Sequence, residues 1–147
     1  MTRRLFALIA MAAFACAATA DDKKDDKPKF PDLKAKEWKK LDNGMKQWEV
    51  AEGMGDPCPT GATVTIHYTG WLTDGKKFDS SRDGKPAEFP LKRLIKGWQE
   101  GVPGMKPGAK RYFVIPPELG YGAEGFGDEI PKNATLVFEI ELISFKK

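Results

Sequence analysis

The stretch TVTIHYTGWL, residues 63–72, alternates strictly between apolar and polar side chains. In an extended chain Val64, Ile66 and Tyr68 share one face, and the polar residues between them share the other. This period of two predicts a β-strand with one buried face. The rest of the sequence can be organised around this strand.

Two later segments show the same alternation. The stretch ATLVFEIELISF, residues 134–145, predicts a strand that turns Glu139 and Glu141 toward solvent. The stretch KRYFVIP, residues 110–116, predicts a third strand in which Phe113 and Ile115 share a face. Four alternate residues of the 134–145 strand are expected to face inward: Leu136, Phe138, Ile140 and Leu142.

One segment has helical periodicity instead. In PLKRLIKGWQEG, residues 90–101, apolar residues fall at the i, i+3, i+4 and i+7 positions of one helix face, and Gly101 and Pro103 end the helix. The residues of this apolar stripe are Leu91, Leu94, Ile95 and Trp98. Upstream, Asn43-Gly44 between two arms that carry apolar residues predicts a β-hairpin. These elements predict an α+β fold, with an antiparallel β-sheet wrapped around one short α-helix.

The first twenty residues differ from the rest of the chain. A basic start, an apolar run over residues 5–18 and an Ala-x-Ala site predict a secretory signal peptide that is cleaved after Ala20. The run is shorter than the roughly 20 residues that a membrane span needs, and a buried helix, a membrane anchor and lipid attachment at Cys16 are the alternatives. Residues 21–37 mix opposite charges with two prolines and predict a flexible linker. Residues 38–147 then form one globular domain.

Cleavage after Ala20 would leave 22 basic and 21 acidic residues, which is close to neutral. Such a balance gives no electrostatic attraction to nucleic acid or to an anionic membrane. We therefore expect an exported monomer, periplasmic or secreted, that recognises partners through apolar contacts and does not insert into a membrane. Cys58 would be the lone cysteine after cleavage, so no internal disulfide is expected; the thiol is interpreted as a tolerated one, and a reactive or intermolecular thiol is the alternative.

The glycines of GYGAEGFG, residues 120–127, match the G-x-G-x-x-G spacing of a dinucleotide-binding loop. Such a loop must lead from a strand into a helix whose N-terminus binds the pyrophosphate. Here Pro116 and Pro117 precede the glycines, and the segment that follows contains Pro131 and has no helical period. The sequence therefore predicts a long loop between two strands, which carries Tyr121 and Phe126, and no bound nucleotide.

Few residues are available for conventional catalysis. His67 and Cys58 alone provide neither a metal site nor a nucleophilic triad, and no cofactor is expected. Asp79, directly after Phe78, is the most notable acid, and its alternative role is to cap the turn at the two serines that follow. Since a small sheet with one helix has a limited interior, the many aromatic rings predict the walls of an apolar pocket. These rings are Tyr68, Phe78, Phe89, Trp98, Phe113, Tyr121, Phe126 and Phe138.

Three stretches carry a resemblance to a known family: VTIHYTGWLTDGKKFDSSRD, LIKGWQEGVPGMKPGAKR, and IPPELGYGAEG with the later IPKNATLVFEIELISF. They resemble the FKBP-type peptidyl-prolyl isomerases, which bind macrolide drugs, and the resemblance runs from about Leu41 to Phe145. It implies a peptidyl-prolyl cis-trans isomerase without a cofactor. Its substrates would be proline-containing segments of unfolded or folding proteins, and macrolides would be further ligands.

The resemblance also implies roles for individual residues. Phe78, Asp79, the backbone N–H of Ile95 and the hydroxyl of Tyr121 would serve catalysis, and Trp98 would form the floor under the prolyl ring. The other implied substrate-binding positions are Tyr68, Phe89, Leu94, Phe126, Ile130 and Phe138.

Three positions depart from the family pattern. Ala87 stands where an aromatic residue is usual, with Phe89 two residues on; Gly84 replaces a commonly basic residue, and Glu129 a frequently aliphatic one. These departures bear on macrolide affinity and substrate preference. A noncatalytic peptide-binding or chaperone module on the same fold is the alternative function.

Overall fold

The computed structural model describes residues 28–147. The predicted signal peptide, residues 1–20, and residues 21–27 of the predicted linker lie outside the described residues.

Seven strands of the described chain form one sheet, in the spatial order β1-β2-β6-β7-β3-β4, with β5 also paired to β3. Every pair is antiparallel, as predicted. In chain order the strands are β1 (Lys39–Lys40), β2 (Lys46–Ala51), β3 (Thr63–Leu72), β4 (Lys77–Ser80), β5 (Ala87–Pro90), β6 (Lys110–Ile115) and β7 (Leu136–Lys146).

The long central strands β3 and β7 carry the alternating sequence patterns. In β3, Val64 and Ile66 are fully buried. In β6, Ile115 is fully buried and Phe113 is 1% exposed. The four residues of β7 that were expected to face inward are buried too. These apolar side chains form one core cluster, so the period-two prediction is confirmed for all three strands.

Strands β4 and β5 were not predicted individually. Both pair with the edge of β3 that faces away from β7: β4 pairs with residues 69–71 and β5 with residues 63–66. The chain between them, residues 81–86, therefore bends across this edge of the sheet. This bend separates Asp79 from Phe89 in sequence but keeps both beside β3.

The predicted helix over residues 90–101 is wrong in its first half. Leu91–Arg93 form a 3-10 turn, Leu94 and Ile95 are extended, and only Lys96–Gly101, here named α1, are α-helical. The side-chain amide of Gln99 donates to the carbonyl oxygens of Lys92 and Leu94, at 3.3 and 2.7 Å, which satisfies acceptors that a continuous helix would have used. The apolar spacing was correct because both arrangements turn these side chains to the interior.

Helix α1 contacts the buried face of the sheet. Its Gly97 lies so close to Ile115 that an added Cβ would stand 2.7 Å from two atoms of that side chain, and Gly101 approaches Phe113 in the same way. Small residues on the helix thus let Trp98 reach the core, where it is 5% exposed.

The prediction that Glu139 faces solvent is also wrong, and Glu141, whose side chain is 26% exposed, is only partly open to solvent. Glu139 is 4% exposed, and the guanidinium of Arg82 donates to the carboxylates of Glu139 and Glu141 at 3.3 and 2.9 Å. We call these three residues the outer-face ion cluster. The 81–86 bend covers this part of the sheet's second face, and strand alternation alone does not show which face another segment will cover.

The hairpin predicted at Asn43-Gly44 is confirmed, since it joins the paired strands β1 and β2. The backbone N–H of Gly44 donates to the carbonyl of Leu41, and that of Leu41 to the carbonyl of Met45. Of the Asn43-Gly44 pair, only Gly44 adopts positive φ, at 96°. The turn therefore runs from Leu41 to Gly44 and does not centre on the Asn-Gly pair.

Residues 28–37 belong to the predicted linker, and they contact the sheet. The hydroxyl of Tyr112 donates to the carbonyl of Lys29 at 2.9 Å, and Phe30 meets Trp71 edge to face with ring centres 5.6 Å apart. Pro31 is buried. This segment therefore lies across the sheet before β1 begins.

No helix within residues 28–147 has both the length and the apolar character to cross a membrane.

Candidate active site

A pocket of about 390 Å³ opens between the sheet, the 91–98 segment and the 120–130 loop. Aromatic and aliphatic side chains make up most of its wall. Its lining residues are Tyr68, Phe78, Asp79, Phe89, Arg93, Leu94, Ile95, Trp98, Tyr121, Phe126 and Phe138. They come from β3, β4, β5, β7, α1 and two loops, so the fold has to be complete for the pocket to exist.

Trp98 is the centre of the aromatic cluster. Its indole meets Phe138 at 5.1 Å, Tyr68 at 5.3 Å and Phe89 at 6.2 Å between ring centres, each close to perpendicular. Phe78 packs edge to face on Phe138 at 5.7 Å. Edge-to-face contacts at these distances are favourable, so the rings hold one another in a fixed bowl around the indole.

Gly70 makes room for two of these rings. A Cβ at this position would stand 2.7 Å from Phe138 and 2.7 Å from Phe78. Because glycine has no side chain, Phe78 and Phe138 can lie directly against the backbone of β3.

One hydrogen bond joins β3 to β4 at the mouth of the pocket. The hydroxyl of Tyr68 donates to the carboxylate of Asp79 at 2.7 Å, and the other carboxylate oxygen accepts the N–H of Ser80 at 2.9 Å. Burial, and then the bond to this carboxylate, raise the pKa of Tyr68 above its usual range. The phenol is therefore neutral, and both oxygens of Asp79 are occupied.

The chain beyond Asp79 is anchored to β3 by two serines. The Ser80 hydroxyl lies 2.8 Å from the Thr69 hydroxyl, and Ser81 accepts the N–H of Tyr68 at 2.9 Å. Asp79 itself contributes to this turn through its bond to Ser80. Asp79 thus lines the pocket wall and also caps the turn at Ser80, which was the alternative role considered for it from the sequence.

The extended backbone at Leu94 and Ile95 points a donor group toward the pocket region. Leu94 donates its N–H to Leu91, but within residues 28–147 no acceptor lies on the N–H of Ile95. Ile95 has φ −62° and ψ 154° and caps α1, where its carbonyl accepts from Trp98 and Gln99. The break in the predicted helix therefore leaves one backbone donor available.

The 120–130 loop supplies the remaining wall. Tyr121 and Phe126 stack with ring centres 5.1 Å apart, and Phe126 is 61% exposed. Phe126 and Ile130 exchange backbone hydrogen bonds at 2.9 and 3.1 Å, and Gly125, directly before Phe126, has φ 69°. Burial raises the pKa of Tyr121, so its hydroxyl remains a donor across the neutral range.

Comparison with known proteins agrees with this geometry. The family model described as FKBP-type peptidyl-prolyl cis-trans isomerase matches residues 56–143. The chain belongs to the FKBP family. The matched range includes every residue that lines the pocket, whereas β1, β2 and the segment before them precede it.

Relatives of this FKBP chain occur in several bacteria. A probable FKBP-type peptidyl-prolyl cis-trans isomerase of Haemophilus influenzae is 42% identical over 139 residues, which are 92% of this chain and 58% of the relative. The chain thus spans little more than half of that protein. An FK506-binding protein of Neisseria meningitidis is 51% identical over 98 residues, which are 65% of this chain and 90% of that protein.

Solved structures give the same result. A peptidyl-prolyl cis-trans isomerase of Pseudomonas syringae superposes with a TM-score of 0.72 at 39% identity, over 78% of this chain and 84% of that one. FkpA of Escherichia coli gives a TM-score of 0.72 at 37% identity, over 95% of this chain and 63% of that one. Both confirm the FKBP fold.

The FKBP pocket brings together ten of the eleven residues that the sequence singled out. The exception is Ile130, which is 4% exposed and lies behind Phe126 instead of on the pocket surface. Of the departures from the family pattern, Ala87 pairs with Ile66 in the sheet, while Gly84 and Glu129 are exposed and line no part of this pocket.

Arg93 is the lining residue that sequence analysis missed. The sequence pattern assigned it no role, because it lies off the apolar stripe of the predicted helix. Arg93 is the last residue of the 3-10 turn Leu91–Arg93 instead of part of an α-helix. Only the break in the helix at Leu94 and Ile95 places Arg93 at the pocket. Sequence periodicity gave no signal for this break.

Of the groups that the sequence offered for acid, base or nucleophilic chemistry, Asp79 lines the FKBP pocket, whereas Cys58 and His67 lie outside its lining. Cys58 is buried, which raises the pKa of its thiol, and its sulfur points to the carbonyl of Pro59. His67 contacts the Ser81 hydroxyl through Nδ1 at 2.9 Å. In the part of the chain that the structure describes, no cluster of three or more potential metal ligands occurs. The pocket thus offers apolar surface, two tyrosine hydroxyls, a backbone amide donor and the charged side chains of Asp79 and Arg93.

Proposed function

We propose that the chain accelerates rotation about X-Pro bonds in exported proteins by noncovalent binding in the pocket around Trp98. This is peptidyl-prolyl cis-trans isomerisation, the activity for which the matching family model and relatives are named. The observation that carries this proposal is the closed set of perpendicular rings around one indole, with donors at the rim and no histidine, cysteine or serine in the lining.

The physical difficulty of the reaction lies in amide resonance. An X-Pro bond prefers trans by only about 0.5 to 1 kcal/mol, yet the rotation barrier is roughly 18 to 20 kcal/mol. In the twisted amide the resonance is lost and the carbonyl is less polar than in the planar form. Transfer from water into an apolar pocket therefore favours the twisted state over the planar one, and no proton has to move.

Individual residues support this mechanism in different ways. Trp98 would lie under the prolyl ring, and Phe78, Phe89 and Phe138 would enclose it. The N–H of Ile95, which has no acceptor within residues 28–147, would bind a substrate carbonyl. The Tyr121 hydroxyl would bind a second carbonyl and so fix the chain on one side while the bond turns.

The remaining predicted residues shape the rim. Tyr68 and Asp79 hold each other and so place Phe78 against Phe138. Leu94 and Phe126 extend the apolar wall toward solvent, where a longer peptide would contact them. Ile130 supports Phe126 from behind through the backbone bonds of the loop.

The proposed clients are proline-containing segments of proteins that fold outside the cytoplasm. The basic, apolar and Ala-x-Ala pattern of residues 1–20 supports export to the periplasm or the exterior. In this proposal residues 21–37 connect the cleavage site to the domain, which acts as a monomer. Relatives named FK506-binding protein support macrolides as ligands of the same pocket.

A prolyl-peptide isomerisation assay tests the proposal. We expect Phe78→Ala to lose most of kcat/KM, because the ring both lines the pocket and packs on Phe138. Asp79→Asn and Tyr121→Phe are expected to lose less. The matched controls His67→Ala and Cys58→Ser should be nearly silent, and circular dichroism should show that every variant is folded.

The pH profile provides a second measurement. Removal of a general base usually costs about 10² to 10⁴ in rate, and such a base leaves a titration in the profile. Here the raised pKa of Tyr121 keeps its hydroxyl protonated, so kcat/KM should be flat between pH 6 and 8. Peptide binding without turnover in the wild-type protein would instead support the noncatalytic chaperone alternative.

A further inference from the structure

The pocket wall is apolar except at two charged side chains. Within residues 28–147, Asp79 and Arg93 are the charged residues that line it. Asp79 is engaged on both oxygens, by the Tyr68 hydroxyl and by the Ser80 N–H. Each of its two oxygens therefore already accepts a hydrogen bond from within the protein.

Arg93 differs from Asp79 in this respect. No hydrogen bond or ion pair joins its guanidinium to any residue in the described part of the chain. The side chain is exposed, and it directly precedes Leu94 and Ile95 at the rim. An unpaired guanidinium thus stands beside the proposed backbone donor for the substrate.

The acidic side chains on the neighbouring elements do not neutralise this position. Glu88 of β5 pairs with Lys146 at 3.1 Å, and Glu100 of α1 accepts from the side-chain amide of Asn43. Lys92 and Lys96 flank Arg93 in the chain but line a separate surface groove. The rim around Arg93 therefore presents positive charge to an incoming peptide.

We propose that Arg93 determines substrate specificity, so that the pocket prefers X-Pro segments with an aspartate or glutamate at one of the two positions before the proline. A guanidinium matches a carboxylate with two parallel hydrogen bonds, which a lysine cannot do. An exposed pair of this kind gives about a two- to fivefold preference. This inference rests on the proposed isomerase function and adds a substrate class to it.

The test is a matched series of short prolyl peptides that carry glutamate, alanine or lysine at either of the two positions before proline. For wild-type protein, we expect kcat/KM for the best glutamate peptide to exceed that of its lysine counterpart about two- to fivefold, after correction for the uncatalysed rates. Arg93→Glu should reverse this order, and Arg93→Gln should remove it. High salt should weaken the preference, because the pair is exposed.

Lys92→Glu is the control, since it makes the same charge change one residue away, outside the pocket lining. It should leave the wild-type order of peptides in place. The alanine peptide separates the two proposals: if wild-type protein does not accelerate it, the isomerase function is wrong. If all three peptides turn over equally in wild-type protein, or if Lys92→Glu alters the order as much as Arg93→Glu does, the role of Arg93 is overturned.

Discussion

Gly70 shows how one residue of β3 sets the position of the aromatic rings. Its backbone is in contact with Phe78 and Phe138, and a Cβ would stand 2.7 Å from each ring. We expect Gly70→Ala to destabilise the fold by about 1 to 3 kcal/mol, since neither ring can withdraw without losing its packing. We also expect kcat/KM to fall on the order of tenfold, because small displacements of positioning groups have large effects on rate.

Gly84→Ala is the matched control for this substitution. A Cβ there meets no atom within 4 Å, and the residue is exposed on the 81–86 bend. Urea unfolding and the peptide assay should show little change. If Gly70→Ala kept wild-type activity, contact between the glycine backbone and the rings would not be what positions Phe78.

Between elements, the outer-face ion cluster joins the 81–86 bend to β7. Arg82 follows the turn that holds Asp79, and Glu139 follows Phe138, so the cluster connects the two segments that place pocket residues. The side chains of Arg82 and Glu139 are only 10% and 5% exposed. Loss of one partner would leave the other charge buried without compensation.

We therefore expect Arg82→Met to lower the free energy of unfolding by about 3 kcal/mol, because buried carboxylates then lack their cation. The double variant Arg82→Met/Glu139→Gln should recover part of this loss, since it removes one of those charges. Lys146→Ala, which breaks the exposed pair with Glu88 at 73% and 51% side-chain exposure, should cost less than about 1 kcal/mol. Equal losses for Arg82→Met and Lys146→Ala in urea titrations would contradict this view of the cluster.

The same elements show what a sequence can and cannot predict. Strict alternation in residues 63–72 and 134–145 reports burial of one strand face, and those predictions were confirmed. Burial of Glu139 depends on which distant segment covers the second face, and alternation carries no information about that contact. The apolar spacing at Leu91, Leu94 and Ile95 fits a helix and a broken turn equally well, so the break, and with it the location of Arg93, required three-dimensional structure.

For the molecule as a whole, the order of strands in the sheet differs strongly from their order in the chain. Strand β7 comes after every other strand in sequence, yet it lies between β3 and β6. Its pairs with β3 join residues up to 83 positions apart, such as Thr63 with Lys146. Proteins with many such distant pairs fold slowly, because closing the long loops costs conformational entropy before the stabilising contacts have formed.

We expect a chain truncated before Leu136 to remain unfolded, since β3 and β6 would each lose a neighbour and the core would lose Phe138 and Ile140. Amide hydrogen exchange would measure this as absence of protection in β3 and β6. Deletion of residues 1–28 instead removes no strand and should leave the protection of β3 and β6 intact. Strong protection of β3 without β7 would show that the sheet forms earlier than its topology implies.

The central position of β7 has a consequence for synthesis on the ribosome. Until residues 136–146 have left the exit tunnel, the strands already made cannot close into the sheet, and the rings destined for the pocket stay open to other apolar surfaces. Without β7, the apolar side chains of β3 and β6 thus lack the core residues that cover them, and they remain accessible to proteases. The proposed activity then depends on a single event, the insertion of β7 between β3 and β6.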